Sequence, residues 1–497
     1  MNTQSFTSRV PSTVGVRVAG VSPWAAAVWL GAAMYSVLLS IESIREYRRF
    51  ETQWDLAIYD QLLWLLAHGH EPFSTVITRP LLEAHFQPGL ILLTPLYWLD
   101  LGVPGLLTAQ SIALALTAPA LFALARASGA SSVMAALPAF LWLVCPFVAS
   151  VNLFEFRPDP FAPALIVVSV LAALQRRHVL LVATAVLALS LKEDIALTYV
   201  MLGLLLVVHG RQRLGVILAL GSAAWYVAAI STMNALGGSN EAFARRFAGE
   251  RGDSVGEAFL WMVEHPLELL GDVAVDSLGD VLLLLLSTGG LALLAPAWLL
   301  LSLPTALHNA LSAYGVQQDL VHHYHLGTLT GFFVAAAIGA GRLHSLARLP
   351  RLSVYALASV AAIVAVGVGL SVHGALSRAI PRQSDAIELA LERIPRDAPV
   401  AATWSLIAHL SHRVEVYSLP EPFLSAEWGT SLTAAELAER AERVRFVVYR
   451  DVDVLPSGGY SPPEDLATVT RMLRRRGFIE VERVGNVHVL ERPGNGR

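Results

Sequence analysis

Runs of about 20 mostly apolar residues, each long enough to cross a bilayer, recur along this 497-residue chain, and nothing else in it restricts the fold as strongly. Eleven are readable, at roughly 22–41, 103–126, 132–153, 160–175, 178–192, 195–209, 213–235, 270–288, 291–310, 327–343 and 353–373. Those at 160, 178 and 195 are short, and dividing 270–310 into a hairpin at Gly289-Gly290 is one of two choices. The stretch from Pro88 to Leu99 has only about a dozen residues and contains Pro95, so it reads as re-entrant or interfacial. The first run is too long for a signal-peptide core and lacks a cleavage site, so it should remain as an anchor. Only 15% of residues are charged, against about a quarter in soluble domains, which excludes an ordinary soluble enzyme. A net charge of −4 speaks against a nucleic-acid partner. The one cysteine, Cys145, permits no intrachain disulfide and no thiolate cluster.

Cytoplasmic connections are enriched in Lys and Arg. With the N terminus inside, the inner connections carry Arg126, then Arg176 and Arg177, then Arg211 and Arg213, then Arg342, Arg348 and Arg351. The same register puts outside the loop 42–104, the turn from Phe154 to Pro160, the turn from Lys192 to Asp194, the loop 236–269 and the segment from His322 to His325. Eleven crossings then leave the C terminus outside.

Composition changes after the last span. Residues 378–497 hold 33 of the chain's 74 charged residues, a soluble-domain density. Ser384 can cap a helix that Pro395 stops, and strand-like runs follow at Val400–Leu406, Val414–Leu419, Val444–Arg450 and Phe478–Leu490. Helical patterns near 432–443 and 463–476 lie between them. The organisation expected is a cytoplasmic tail (1–21), a transmembrane domain (22–374) with outer loops at 42–104 and 236–269, and an extracytoplasmic α/β domain (375–497).

Several polar clusters stand out because a bilayer-facing chain had no need to keep them. The first outer loop contains Trp54-Asp55-Leu56-Ala57-Ile58-Tyr59-Asp60-Gln61, continuing as an interfacial helix. Asp55 and Asp60 are about 140° apart around a helix, so at most one serves as a base at a single site. The ordinary account of Asp55 is a helix N-cap, and of Asp60 a solvated interface carboxylate. Glu83-Ala84-His85 precedes the Pro88 stretch, and alone His85 reads as a buried core histidine. The turn Phe154-Glu155-Phe156-Arg157-Pro158-Asp159-Pro160 sets three charges among aromatics and prolines, and Lys192-Glu193-Asp194 sets three more in a very short connection. Both also fit ordinary interfacial charge. Val321-His322-His323-Tyr324-His325 offers three imidazoles, but helical spacing would not converge them on one zinc ion.

Lys192 is harder to dismiss, because it is the chain's single lysine beside 34 arginines. A solubilising lysine exchanges with arginine at little cost, whereas a compact ammonium between carboxylates does not. Every one of these clusters falls outside in a register fixed without them.

These residues resemble a prokaryotic multipass membrane family of unknown function that is grouped with the GT-C glycosyltransferases. The resemblance rests on Trp54 to Gln61, His85 before a proline-containing run, Phe154 to Pro160, Lys192-Glu193-Asp194, His323-Tyr324 and the outer segment Ala408-His409-Leu410-Ser411-His412-Arg413. One departure is visible: Phe156-Arg157-Pro158 stands where an aromatic-His-Pro is expected. The resemblance implies a GT-C-like helical fold of about eleven spans in a prokaryotic cytoplasmic membrane, and a polyprenyl-phosphate-linked sugar as donor. It also implies an acidic residue of the first outer loop as base, here Asp55 or Asp60. Arg79, Arg157 and Lys192 are then candidates to face the departing phosphate, with His85, Glu155, Glu193, His323 and Tyr324 supporting them. No cofactor is certain from these residues; a divalent metal held by carboxylates is compatible with them, although no coordination set suggests itself.

The leading expectation is a glycosyltransferase acting on the outer face, with sugar and acceptor undetermined. The rival is a transporter or flippase of lipid-linked or polar solutes, which would keep ionisable groups near the bilayer midplane. A non-catalytic relative that binds through its outer domain is the third reading.

Overall fold

The computed structural model describes residues 22–52, 54–237, 255–312, 314–345, 383–424, 430–453 and 466–493. The N-terminal tail, residues 238–254 of the 236–269 loop and the expected eleventh span at 353–373 lie outside the described residues. Among the described residues four helical stretches are long and apolar enough to cross a bilayer: Pro23–Arg48, Gly102–Ala127, Gln212–Ala235 and His323–Leu343. A bent pair makes a fifth, and Asp159–Leu174, His178–Leu189 and Ile195–Val208 are shorter apolar helices. The chain is a multipass helical membrane protein.

Helix α1 (Pro23–Arg48) starts on a proline, whose missing amide is no loss at that position, and ends with Arg45 and Arg48 near its carbonyl end. At about 1.5 Å per residue it is several ångströms longer than a bilayer core of about 30 Å. Its end therefore projects beyond that core, where Glu42 pairs at 2.9 Å with Arg49, the residue that caps the helix, in a buried setting. Helix α2 (Trp54–Ala67) follows, then a two-residue hairpin of β1 (Phe73–Ser74) and β2 (Arg79–Pro80). The Pro88–Leu99 stretch forms a 3-10 turn and a single-turn helix, not a span.

Helix α3 (Gly102–Ala127) is the central span. Helices α4 (Ser132–Val144) and α5 (Pro146–Phe154) meet at 41°, because Pro146 forces Cys145 into an extended conformation. Then come α6 (Ala162–Leu174), α7 (His178–Leu189), α8 (Ile195–Val208), α9 (Gln212–Ala235), α10 (Pro266–Ser287) and α11 (Leu326–Ser345). The expected span at 291–310 is corrected. Gly289 and Gly290 stop α10 at positive φ, and Pro296 and Pro304 remove two amide donors. The segment folds as the 3-10 turns Leu291–Leu294 and Pro296–Leu301 followed by the short helix Leu303–Ala310.

One apolar core gathers the helices around Leu114, Leu121, Trp142, Val167, Tyr199 and Phe333. Helix–helix contact in lipid depends on small residues that let backbones approach. Gly203 and Gly215 do this where α8 meets α9. A Cβ on Gly203 would lie 2.6 Å from the Gly215 carbonyl oxygen, and one on Gly215 would lie 2.4 Å from the Gly203 oxygen.

The C-terminal residues build a five-stranded sheet from β3 (Val400–Ala402), β4 (Val416–Ser418), β5 (Phe446–Arg450), β6 (Ile479–Val484) and β7 (Val487–Glu491), in the order β4-β3-β5-β7-β6. Strands β4, β3 and β5 are parallel, whereas β7 runs antiparallel to both β5 and β6. The Phe478–Leu490 run, expected as one strand, is a hairpin turned at Gly485, whose φ is positive. Side chains alternate between faces. Phe446 and Val448 join Leu56, Leu63, Val76 and Leu106 in a second core, while Val447 and Tyr449 join Val469, Leu473 and Phe478 in a third. The sheet is thus bound on one face to α2 and the first loop.

Gly203→Val is expected to cost about 1–3 kcal/mol of stability through overpacking. Thermal unfolding in detergent checks this, with Gly221→Val, where a Cβ meets nothing within 4 Å, as the tolerated control.

Candidate active site

The first amides of a helix have no partner within it. In α2 one of them, Leu56 N–H, donates at 2.9 Å to Oε2 of Glu155, a residue 99 positions later. That contact brings the turn after α5 onto the start of α2, and next to it the Arg157 guanidinium binds the Asp55 carboxylate. Gln110, fully buried on α3, holds the turn itself. Its amide donates to the carbonyls of Asn152 (3.2 Å) and Glu155 (3.0 Å) and accepts from Arg157 N–H at 2.8 Å. Only a primary amide can meet all three demands.

Two further turns complete the cluster. Lys192 is 9% exposed, and its Nζ lies 3.1 Å from Asp159 and 3.1 Å from Asp194. The neighbouring Glu193 takes the His85 ring at 2.8 Å and the Phe86 N–H at 2.9 Å. Burial opposes the charge on Glu193, but the His85 ring outweighs it and holds the carboxyl below its usual range. Gly89 donates to the Ser190 carbonyl at 2.8 Å, which fastens the 85–89 segment to the same turn. His323 is buried just before α11, within the electrostatic reach of Arg157, Lys192, His322 and His85. Neither of its ring nitrogens makes a hydrogen bond. Its ring meets that of Tyr324 at 3.9 Å, and the Tyr324 carbonyl accepts from Asn309 at 2.9 Å. Phe147, Val151, Leu284, Leu320, Leu326 and Leu329 pack as an apolar patch around His322 and His325.

Of the residues singled out in the sequence, Asp55, Arg157, Lys192, Glu193, His85, Glu155 and His323 come together here. Tyr324 lies at the margin. Arg79 pairs with Glu83 at 3.4 Å beside the β1–β2 hairpin.

Asp60 has a different neighbourhood. It is 0% exposed and accepts from Tyr97 Oη at 2.5 Å, from Ser411 Oγ, and from His412 Nε2 at 3.1–3.2 Å. Burial disfavours the His412 cation, but the Asp60 carboxylate more than offsets this and raises the imidazole above its ordinary value. Gln61 extends the tie, donating to Thr75 Oγ1 and the Arg413 carbonyl and accepting from Ser74 Oγ and Thr75 N–H. His409 is stacked on Tyr47 at 4.0 Å and packed by Phe50, and burial pushes it down to about 4. The sequence reading did not single out Gln110, and it met Asp159, Gln61, Ser411 and His412 only inside longer motifs, without a role. A lone glutamine inside an otherwise apolar span was the signal available for Gln110. Among the described residues no three His, Cys, Asp or Glu side chains form a metal-ligand set.

Fold and cluster together define a multipass membrane protein with an ionic, largely sealed centre at one end of its helices. The chain belongs to the family described as "Predicted membrane protein (DUF2079)", which matches residues 45–442. Its fold is similar to that of ArnT from Cupriavidus metallidurans bound to undecaprenyl phosphate. That likeness has a TM-score of 0.54 at 14% identity and covers 95% of this chain and 98% of that one. The apo state of the same protein matches with a TM-score of 0.54 at 13% identity, covering 94% and 98%. At such identities the likeness concerns the fold. No curated protein sequence matches the chain.

Ser411→Ala and Asp60→Asn should each cost about 1–3 kcal/mol, because both leave a buried polar partner unsatisfied. The same detergent unfolding assay reads this, and unchanged midpoints for both variants would show that the contact adds nothing.

Proposed function

We propose that the protein is a GT-C-type glycosyltransferase that moves a sugar from a polyprenyl-phosphate donor to a hydroxyl acceptor on the outer face of a prokaryotic cytoplasmic membrane. The observation that carries the reading is the Asp55–Arg157 pair beside the Lys192 cluster, at one end of an ArnT-like fold. The relative's bound undecaprenyl phosphate supports a lipid phosphate as the donor's carrier.

Asp55 is the base. Its carboxylate takes the proton of the acceptor hydroxyl as that oxygen bonds to the anomeric carbon. The bond from that carbon to the phosphate oxygen breaks, and its electron pair leaves with the polyprenyl phosphate. Arg157 and Lys192 offset the charge gathering on the phosphate, in a setting poor in water where such interactions are strong. His85, Glu193 and His323 orient and line this pocket, with Glu155 seating the first turn of α2 and Tyr324 bordering His323. Arg79 is a more remote phosphate contact. Asp60 we assign to structure, since its three donors leave it no free face for a substrate.

The wider arrangement belongs to the same proposal: a multipass domain across 22–374 with the N terminus inside, in which 291–310 crosses as a broken segment packed within the protein and not as a continuous helix, and an extracytoplasmic α/β domain over 375–497 that holds the acceptor or covers the site. The transporter reading has less support, since the ionisable groups gather at one end of the helices.

In proteoliposomes supplied with a labelled polyprenyl-phosphate sugar, Asp55→Asn is expected to lower transfer by about 10²–10⁴-fold. Unchanged transfer would remove Asp55 as the base. Lys192→Arg should lower it by up to about 10²-fold without moving the unfolding midpoint, because the longer planar guanidinium displaces Asp159 and Asp194. The donor itself is identified by which lipid-linked sugar accumulates in cells lacking the protein.

A further inference from the structure

Glu155 differs from every other acid at this end of the bundle. Asp55 has Arg157, Asp159 and Asp194 share Lys192, and Glu193 has His85. Glu155 is 3% exposed, accepts one hydrogen bond from Leu56 N–H through Oε2, and has a sealed Oε1 that accepts none. No cation pairs with it among the described residues. A buried carboxylate with an oxygen left unmet is costly, and such a group keeps its proton instead. Burial accordingly pushes the Glu155 carboxyl up to about 8. Tyr59 on α2 lies within its electrostatic reach, and the uncharged Gln110 donates to its backbone carbonyl. The charged groups on the adjoining elements are Asp55 on the turn of α2 that Glu155 holds, Arg157 and Asp159 in its own turn, and Lys192 on the turn after α7.

We propose that Glu155 is a positioning residue that works in its protonated form: neutral, it seats the first turn of α2 and leaves the Arg157 guanidinium to Asp55 and the donor phosphate. Ionised, it becomes a second carboxylate two residues from Arg157 and competes with Asp55 for it. This inference rests on the reading of Asp55 and Arg157 as the reacting pair.

The stability consequence has a definite sign. An unfolded glutamate ionises near 4.5, whereas the folded one holds its proton to about 8. Between those values the folded state binds more protons than the unfolded state, so Glu155 subtracts stability progressively as pH rises through that window. Glu155→Gln copies the neutral acid and removes the penalty.

The experiment uses the full chain in detergent with undecaprenyl phosphate as probe. Infrared spectra at pH 7 should show a protonated-carboxyl band in the wild type that Glu155→Gln lacks. The unfolding midpoint of the variant should gain on the wild type from pH 5 to 8 and then level. If only the neutral form is competent, wild-type affinity for the probe falls about tenfold between pH 7 and 9, and that of Glu155→Gln falls by less than about twofold. A purely structural cap would leave the two binding profiles parallel. Parallel profiles, or an identical infrared band in both proteins, overturn the proposal. Failure of the wild type to bind the probe at any pH instead overturns the transferase reading, and the infrared and unfolding series then decide whether Glu155 holds its proton.

Discussion

Two adjacent side chains at the middle of α2, Asp60 and Gln61, are fully buried and polar, and the fold is organised around satisfying them. An unpaired carboxylate or amide in such a place would undo more than most apolar contacts supply. The partners come from Tyr97, from the β1–β2 hairpin and from residues 411–414, more than 350 positions away. Because these donors point from fixed directions, α2 has one seat. Asp55, one and a half turns earlier, is therefore aimed at Arg157 by contacts it does not itself make.

The electrostatic pattern follows from that seat. Cations and carboxylates alternate through the cluster as Asp55–Arg157, Asp159–Lys192–Asp194 and Glu193–His85, so each buried charge has an opposite neighbour. Such a centre is stable in low dielectric only while the pairing is complete, and removing one partner is far more costly than the pair is worth. Lys192 sits between two carboxylates with one point of charge and three donors, which the fork of an arginine would not reproduce. The single lysine beside 34 arginines thus stands at a position where shape matters.

Much of this was legible in the residues. The spans that became α1, α3, α9 and α11 announce themselves by length and apolarity, since every backbone group in lipid must be bonded within the segment. The clusters at Asp55, Arg157, Lys192, Glu193 and His85 were visible because charge inside apolar sequence needs a reason. What the sequence could not disclose was pairing. Nothing in the spacing separates the setting of Asp55 from that of Asp60, because the difference lies in Ser411 and His412 on a distant turn. Gln110 was hidden for the same reason. The broken 291–310 segment was marked by Pro296 and Pro304, but its apolar content masked them. Chain direction reversed unseen at Gly485, because the residues on both sides have the same strand character.

The separation between Asp60 and Ser411, 351 residues, also bears on how the protein is made. At about 5–20 residues per second of synthesis, α2 stands for roughly 20–70 s before its partner exists. Throughout that time a helix whose core-facing side carries an aspartate and a glutamine cannot enter the hydrocarbon and has no folded surface to leave it for. It must wait at the interface, where its tryptophans and leucines hold it and water serves Asp60 and Gln61. The first loop and the last segment of the chain therefore close on each other only after every span between them is in place.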